Sequence, residues 1–496
     1  MMRRRGLLKA GAALAALSGC GRSGTNIDVR TQEPWAMDAT DLAAAIRAKE
    51  LSAVDAVEMF ARRIEKIEPS LGAFTHLDID GALDRARAVD PSRPFAGVPF
   101  AIKDLYDYPG MPWRYGSALF REHRGGGKSP YTEKLEAAGL VAMGKTTTPE
   151  FGLLPTTEPL AFEPTVNPWN AAHSCGGSSG GAAAAVAARL LPLAYASDGG
   201  GSIRIPAAAC GVFGLKCTRG RFSGQGEPKL AIPLSIHHPH TRSVRDSAAI
   251  LALTETPQER LAPVGHVGPQ RLAPLKVALS VNNALGRRAD ADVAAAVERC
   301  GRRLEEMGHL IEVVEATPLQ SEGFPEAFTA LWASGAFGIY QVATELAGVK
   351  PEESGLLEPF TIGLAELFRS TSEAAFAAGI ARIQAVEADV DRWFGRYDAW
   401  LTPVVGTVTP KLGFLAGGVP FTELMARLAD YVGYTPLHNA CGTPAAAIPF
   451  GKSAEGLPIG VQIAAGKGRE DLLLKVAYAL EESDPWAREL PAAAIV

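Results

Sequence analysis

Apolar residues recur at three- and four-residue steps between Val54 and Ile67, the spacing that keeps side chains on one face of a helix. Ser52 and Asp55 form a helix cap at the start of this run, and a second helical pattern lies just before them. Residues 40–67 therefore predict two helices. Because an amphipathic helix buries its apolar face, we expect both to pack over the outside of a larger core.

Beyond these helices, strand and helix patterns alternate along the chain. Residues 96–103 predict a strand that ends at Lys103, residues 132–138 predict a helix stopped by Gly139, and residues 140–143 predict another strand. This alternation favours an α/β sheet core. The later segments predict strands at 276–279, 398–403, 446–450 and 456–464, mainly helical chain at 325–396, and a last helix at 470–482.

Two clusters of glycine and serine, at 176–181 and 198–206, flank an alanine-rich helix pattern at 182–191. A short strand pattern at 193–196 would fold the second cluster back beside the first. Glycine lets backbone N–H groups approach a bound atom closely. The clusters can therefore bring two hydroxyls and a row of amide donors into one cleft, as a serine hydrolase with a backbone oxyanion hole requires.

The chain before the first cluster lacks periodicity. Residues 145–170 are rich in turn-forming residues and predict an ordered loop near the cleft. Residues 167–174, which lead directly into the cluster, also have a turn-like pattern rather than that of a strand.

The two clusters resemble the signature segments of the amidase signature family, and Lys103 matches that family's lysine at the end of an apolar strand. The resemblance covers about residues 40–490 and is densest at 96–246. It implies an α/β fold, a single large domain with a mixed, twisted β-sheet core covered by α-helices on both faces. It also implies hydrolysis of a carboxamide C–N bond to a carboxylate plus an amine or ammonia.

The same resemblance implies three catalytic roles. Ser202 would be the nucleophile that forms an acyl-enzyme, Ser178 the bridging serine, and Lys103 the base that later acts as an acid. A hydroxyl both donates and accepts, so Ser178 can relay a proton in either direction. A free lysine has a pKa of about 10.4 and must lose its charge to act as a base. Burial among the apolar neighbours of Lys103 would favour that loss.

Other residues of the second cluster would support this chemistry. The predicted oxyanion hole consists of backbone N–H groups of Gly199, Gly200, Gly201 and Ser202. Asp198 and Arg204 flank the turn and are expected to pair and hold it rigid. Ser179, in the first cluster, is expected to hydrogen-bond Lys103.

The chain departs from the family pattern at a few positions. Cys175 and Cys217 stand where many relatives have proline, and Gly199 adds a third glycine before Ser202. None of these changes removes a catalytic group. Cys175 could be a nucleophile, but a small buried thiol is the favoured interpretation.

Composition narrows the function further. The 496 residues are 47% hydrophobic and carry a net charge of −5, with no basic run beyond the N-terminus, which argues against a nucleic-acid partner. The cysteines have no metal-ligand spacing, and the five beyond Cys20 are an odd number, so at least one is unpaired. His237, His238 and His240 are expected to be structural. No metal and no organic cofactor is implied, and the expected partner is a small-molecule amide.

The N-terminus has the pattern of an export signal. Basic residues at 3–9 precede a short apolar run that ends at Cys20, and the run is too short to span a bilayer. It resembles a twin-arginine signal joined to a bacterial lipobox. We therefore predict a lipoprotein signal peptide at 1–19, a tether at 20–35 with lipidation at Cys20, and an amidase domain at 36–490. The protein would be lipid-anchored in the bacterial periplasm or cell envelope. An ordinary cleaved signal is the alternative.

Two other functions are compatible with parts of the sequence. Residues 176–180 also fit G-x-S-x-G, the nucleophile turn of an α/β-hydrolase-type esterase, with Ser178 as the nucleophile. That interpretation leaves Lys103 and the Ser202 cluster unexplained. A non-catalytic solute-binding lipoprotein is the second alternative, and it has no need for either serine.

Within the amidase signature family, residues 157–162 and 196–206 look most like the branch that contains aminohexanoate cyclic-dimer hydrolases and other broad amidases. Family members that supply ammonia to a misacylated transfer RNA work in the cytoplasm with partners, which does not suit an exported chain. We expect a stand-alone amidase for linear, cyclic or peptide amides. The substrate stays open, since loops and the helical region at 325–396 would line the pocket.

Overall fold

The computed structural model describes residues 33–222, 230–257 and 261–495. The strands are β1 (Phe74–Leu77), β2 (Pro99–Lys103), β3 (Val141–Thr146), β4 (Val166–Asn167), β5 (Asn170–Ser174), β6 (Leu193–Asp198), β7 (Gly214–Lys216), β8 (Ile236–Thr241), β9 (Lys276–Leu279), β10 (Leu310–Val313), β11 (Ala399–Pro403), β12 (Ala445–Lys452) and β13 (Pro458–Ala465).

Helices alternate with these strands and cover them. They are α1 (Ala39–Arg47), α2 (Ala53–Ile67), α3 (Ile79–Ala88), α4 (Pro130–Ala137), α5 (Gly180–Ala187), α6 (Arg204–Cys210), α7 (Val244–Thr254), α8 (Ala291–Glu306), α9 (Phe324–Ala347), α10 (Pro351–Ser354), α11 (Pro359–Arg369), α12 (Glu373–Trp393), α13 (Phe421–Tyr431), α14 (Pro436–Ala440) and α15 (Glu470–Ser483).

The strands form a mixed core. Six of them lie in the order β10-β9-β11-β13-β12-β7, in which β9 pairs in parallel with β10 and β11 while the other pairs are antiparallel. A three-stranded group, β1-β3-β2, and the antiparallel pair β6-β8 complete the layer that carries the site. A bridge between Phe213 and Thr241 joins β8 to the start of β7, and β2 packs against β6. The predicted single-domain α/β fold with a mixed sheet is confirmed.

The two predicted N-terminal helices are present as α1 and α2. Ser52 caps α2 through a reciprocal pair of bonds, because its hydroxyl accepts from the Asp55 N–H at 3.0 Å and the Asp55 carboxylate accepts from the Ser52 N–H at 3.2 Å. The apolar face of α2 is buried, including Phe60 and Ile64. This helix therefore packs over the core as its spacing predicts.

Two local predictions were wrong. The alanine-rich helix α5 ends at Ala187 rather than at residue 191, because Arg189 adopts a positive φ of 59° and donates to Ala36 O at 2.9 Å. Residues 167–174 are not a turn. They form the β4-β5 hairpin, in which the Asn167 side chain donates to Ser174 O at 2.9 Å and so favours strand pairing.

Some expectations lie outside the described residues. The predicted signal peptide at 1–19, Cys20 and most of the tether at 20–35 belong to the part of the chain that is not described, so they stay predictions. Within 33–222, 230–257 and 261–495, every helix is too short or too polar to cross a bilayer.

Candidate active site

Lys103 ends strand β2 and is completely buried. Its Nζ donates to Ser178 Oγ at 2.7 Å and to Ser197 Oγ at 3.2 Å. The preceding residues Phe100 and Ile102 are also fully buried, so the apolar strand carries the amine into the interior of the protein. Lys103 and Ser178 are 75 residues apart in the sequence, and the fold brings them into direct contact.

The glycines of the first cluster are required by close packing. A Cβ on Gly177 would lie 2.3 Å from Thr156 O, and one on Gly176, whose φ is +74°, would lie 2.7 Å from the Cα of Pro206. Pro206 belongs to α6, which follows the second cluster. The first cluster therefore packs directly against the second, as the strand between them predicts. The Gly177–Ser178 peptide bond is cis.

Ser202 lies in the turn between β6 and α6. Ser178, Ser202, Gly199 and Gly200 all line one cavity. Gly201 is different, because its N–H donates to Asp198 Oδ1 at 2.7 Å and a Cβ there would lie 2.4 Å from Thr435 Oγ1. Gly201 was predicted as an oxyanion donor and must be reassigned, since its N–H holds the turn closed. Gly199, Gly200 and Ser202 remain as candidates.

The expected pairing of Asp198 with Arg204 is present and is completely buried. Arg204 Nε donates to Asp198 Oδ2 at 2.9 Å, and Arg204 Nη2 donates to Asp198 Oδ1 at 3.0 Å. Burial alone would raise the pKa of Asp198, but the Arg204 guanidinium holds it well below the usual range. The carboxylate is therefore ionised, and it also accepts from the Ile203 N–H at 3.2 Å.

Arg204 connects this turn to the C-terminal part of the chain. Its remaining donors reach Thr435 O at 3.0 Å, Gln462 Oε1 at 2.7 Å and Asn439 Oδ1 at 2.6 Å. Asn439 in turn donates to Asp198 Oδ1 at 2.9 Å. The turn that carries Ser202 is thus fixed from strand β13 and helix α14. No motif in the sequence pointed to these partners.

Ser179 supports Lys103 through another residue. Its hydroxyl donates to Ser197 O at 3.1 Å and accepts from the Ser197 N–H at 3.3 Å. Ser197 Oγ is an acceptor for Lys103, so Ser179 positions the residue that contacts the lysine. The predicted contact of Ser179 with Lys103 is therefore indirect and runs through Ser197. The one sequence signal for Ser197 is its place beside Asp198 at the end of β6.

A second buried ion pair lies next to Lys103. Asp104 Oδ1 is 2.9 Å from Lys145 Nζ, and both side chains are completely buried. Lys145 also donates to Tyr106 O at 2.6 Å and to Pro112 O at 3.2 Å. These bonds fix the loop that follows β2, and Tyr106 of that loop lines the cavity. No motif or spacing in the sequence pointed to Lys145.

The cavity has a volume of about 1390 Å³. Its wall includes aromatic side chains from the loops at 105–120 and 150–155 and from helix α9. Loop residue Gly152 lies against the first cluster, where a Cβ would be 3.1 Å from Ser178 Oγ. The site therefore sits at the bottom of a large, mainly apolar cleft.

Comparison with known proteins identifies a family whose members share these segments. The model of the family described as Amidase matches residues 55–474, which contain both glycine–serine clusters and Lys103. The chain belongs to the amidase family. It is an enzyme that hydrolyses amide C–N bonds.

Individual amidases show how far the likeness extends. A putative amidase, AmiC of Mycobacterium tuberculosis, is 36% identical over 91% of this chain and 95% of the relative. The 6-aminohexanoate-cyclic-dimer hydrolase of Paenarthrobacter ureafaciens is 33% identical over 92% of this chain and 96% of the relative. A solved structure of 6-aminohexanoate cyclic dimer hydrolase with its substrate superposes with a TM-score of 0.84 at 31% identity, covering 93% of this chain and all of that one.

The amidase assignment removes both alternative functions. A solute-binding lipoprotein is ruled out by the family. The α/β-hydrolase interpretation is wrong as well, because the strand before the first cluster is part of a short antiparallel hairpin and Ser178 is bonded to Lys103.

The five cysteines beyond Cys20 and the three histidines of strand β8 are buried, and His237 also lines the cavity. Cys175, Cys210, Cys217, Cys300 and Cys441 are all buried free thiols. Burial raises the pKa of Cys175 well above its usual value, which keeps the thiol protonated, as expected for an inert cysteine. Burial lowers the pKa of His237 and His238 to about 3 and that of His240 to about 4. Among the described residues, no group of His, Cys, Asp and Glu could hold a metal ion.

Proposed function

We propose that this amidase cleaves its substrate through an acyl-enzyme on Ser202, with Ser178 and Lys103 as the proton relay. The observation that carries the proposal is the 2.7 Å bond from Lys103 Nζ to Ser178 Oγ, at a cavity that Ser202 also lines. Neutral Lys103 takes a proton from Ser178 as Ser178 takes the proton of Ser202. Ser202 Oγ then bonds the amide carbon.

The return of these protons completes the reaction. The tetrahedral oxyanion is held by backbone N–H groups of Gly199, Gly200 and Ser202, and the loss of one such donor typically costs about 10²–10³ in rate. Ser178 passes the proton from Lys103 to the departing amine as the C–N bond breaks. Water, activated by the same relay, then hydrolyses the ester on Ser202 and releases the carboxylate.

Labelling with a fluorophosphonate tests these roles. We expect the purified full-length enzyme to form an adduct on Ser202, located by mass spectrometry, and Lys103→Ala to form none. Ser235→Ala is the matched control, because Ser235 lines the same cavity outside the proposed relay and its loss leaves labelling unchanged. An adduct on Ser178 in the parent enzyme would overturn the assignment of the nucleophile.

We also propose that the enzyme is a stand-alone amidase exported as a lipoprotein. The support is the sequence alone, namely the basic residues at 3–9, the short apolar run and Cys20. In a bacterial host, the protein should fractionate with the cell envelope and carry a lipid at Cys20. Cys20→Ser should release it from the membrane fraction. A full-length chain that stays in the cytoplasm with an unmodified N-terminus would refute the proposal.

A further inference from the structure

The size and shape of the cavity indicate what kind of amide the site accepts. Helix α9 forms one long wall, to which Phe324, Phe328, Trp332, Ile339 and Val342 contribute side chains. From Phe324 to Val342 this wall is about 27 Å long at the rise of an α-helix. Ligand sites are usually about 300–1,000 Å³, so a cavity of about 1390 Å³ is large enough for an extended molecule.

One end of this wall lies at the catalytic turn. A Cβ on Gly200 would be 3.6 Å from the ring of Phe328, so Phe328 stands beside the proposed oxyanion hole. Val342 lies about 21 Å farther along the helix, and it is 46% exposed. The cavity therefore extends from Ser202 to an apolar rim that is open to solvent, where Leu285 is also exposed.

The middle of the wall is kept open by a glycine. Gly338 lies in the interior of helix α9 and lines the cavity. No atom lies within 4 Å of the position that its Cβ would occupy. Glycine inside a helix costs about 0.5–1 kcal/mol relative to alanine. A side chain here would project into empty space, so the residue leaves room for a ligand about 15 Å from Phe328.

The wall offers little to a charged ligand. Among the lining residues that the structure describes, Asp107 and Lys128 are the ones that carry charge, and each already has a partner, although Asp107 Oδ1 makes no hydrogen bond. Asp107 accepts from the Gly127 N–H at 2.6 Å, and Lys128 Nζ is 2.5 Å from Glu136. The burial of a charge without a partner is costly. A charged substituent along α9 would therefore bind poorly.

We propose that the preferred substrates are uncharged carboxamides with one long apolar substituent, which lies along α9 while the amide sits at Ser202. This inference rests on the proposed function and specifies its substrate class. Each methylene that is fully removed from water contributes up to about fourfold in binding or in kcat/KM. The affinity should rise with chain length until the substituent reaches the open rim.

Two series of amides test the proposal. In the first series, p-nitroanilides carry acyl chains from acetyl to dodecanoyl. In the second series, N-alkylacetamides carry alkyl chains of the same lengths on nitrogen. We expect kcat/KM to rise with length in at least one series, which identifies the side of the amide that faces α9. Replacing the terminal methyl by a carboxylate should cancel the rise.

Gly338→Phe places a ring in the open part of the cavity. It should lower kcat/KM for long chains much more than for the acetyl substrate and stop the rise at a shorter chain, while Gln341→Phe, on the same helix but outside the lining, should behave as the parent enzyme. An equal response of long and short chains to Gly338→Phe, or a flat length dependence in both series, overturns the proposal.

A binding measurement separates this proposal from the catalytic one. Ser202→Ala cannot form the acyl-enzyme, and Trp113 and Trp332 line the cavity, so tryptophan fluorescence can report binding without turnover. We expect n-alkanamides from butanamide to dodecanamide to bind more tightly as they lengthen, even if no amide is turned over by the parent enzyme. Turnover of the acetyl substrate without any effect of length would leave the catalytic proposal intact and refute this one.

Discussion

The substitution Asp198→Asn tests whether the buried ion pair holds the catalytic turn. The change keeps the size of the side chain but replaces one carboxylate oxygen by an NH2 group, which donates hydrogen bonds and cannot accept them. The NH2 group then faces other donors, which come from Arg204, Asn439 and the backbone N–H groups of Gly201 and Ile203. Arg204 is left charged and buried without its ion-pair partner, although its bonds to Thr435, Gln462 and Asn439 remain.

The size of the effect follows from that environment. Breaking a buried ion pair by removal of one partner typically lowers the free energy of unfolding by about 3–5 kcal/mol. Because Gly201 and Ile203 flank Ser202, the loss of the carboxylate also releases the turn that presents the nucleophile. We expect kcat to fall by about 10²–10³, the effect of one misplaced oxyanion donor, with little change in KM.

Urea denaturation measures the stability, and steady-state kinetics on a p-nitroanilide, well below the unfolding transition, measure the activity. Asp38→Asn is the matched control. Asp38 pairs with Arg245 at 2.6 Å next to helix α1, so this variant should lose stability and keep kcat. If folded Asp198→Asn has the kcat of the parent enzyme, the ion pair does not position the turn and the reasoning fails.

Three further outcomes follow from the structure. Ser197→Ala removes one acceptor of Lys103 and leaves the bond to Ser178, so kcat/KM should fall by about five- to 150-fold, which corresponds to the roughly 1–3 kcal/mol that loss of a buried hydrogen-bond partner costs. The acid limb of its pH profile should move, and an unchanged profile would mean that Ser197 does not act on Lys103. Burial and nearby Glu150 raise the pKa of Glu358 to about 8, well above that of an unfolded glutamate, about 4.3, so the protonated carboxyl stabilises the fold at low pH and this stabilisation is lost as pH rises to about 8. Glu358→Gln should flatten the stability profile between those two pH values, whereas parallel profiles from urea denaturation would contradict the assignment. Prolonged dialysis against a chelator should leave kcat unchanged, and loss of activity that zinc restores would reveal a metal site.

Local patterns were sufficient for most of the fold. The 3.6-residue spacing of α2 and the apolar run of β2 are strong signals because each reflects burial of a single element. The alanine-rich helix was placed correctly but ended too late, since its end depends on the distant acceptors of Arg189 rather than on helix propensity. The β4-β5 hairpin was missed because Asn167, a typical turn residue, stabilises strand pairing here.

The residues of the site that belong to sequence motifs could be predicted, and the residues outside the motifs could not. Ser178, Ser202, Asp198 and Arg204 lie in the two glycine–serine clusters, and Lys103 ends an apolar strand that the family pattern also contains. The structure joins Lys103 to Ser178 and Asp198 to Arg204, and Ser178 and Ser202 line one cavity. Ser197, Lys145 and Asn439 have no such signal, because they act through contacts that depend on how distant strands meet. The reassignment of the Gly201 N–H has the same origin: a run of glycines indicates available donors, but only the fold determines which of them a carboxylate already occupies.

The anchoring of Arg204 has a consequence for the timing of synthesis. Its partners Thr435, Asn439 and Gln462 lie 231, 235 and 258 positions farther along the chain. At about 5–20 residues per second, roughly 13–50 s separate the synthesis of Arg204 from that of Gln462. A nascent chain that already contains both serines and the lysine thus lacks the contacts that order its nucleophile. The nascent enzyme should therefore be catalytically inactive while it is still on the ribosome. A chain that ends before β13 should also be inactive, although it contains every signature residue.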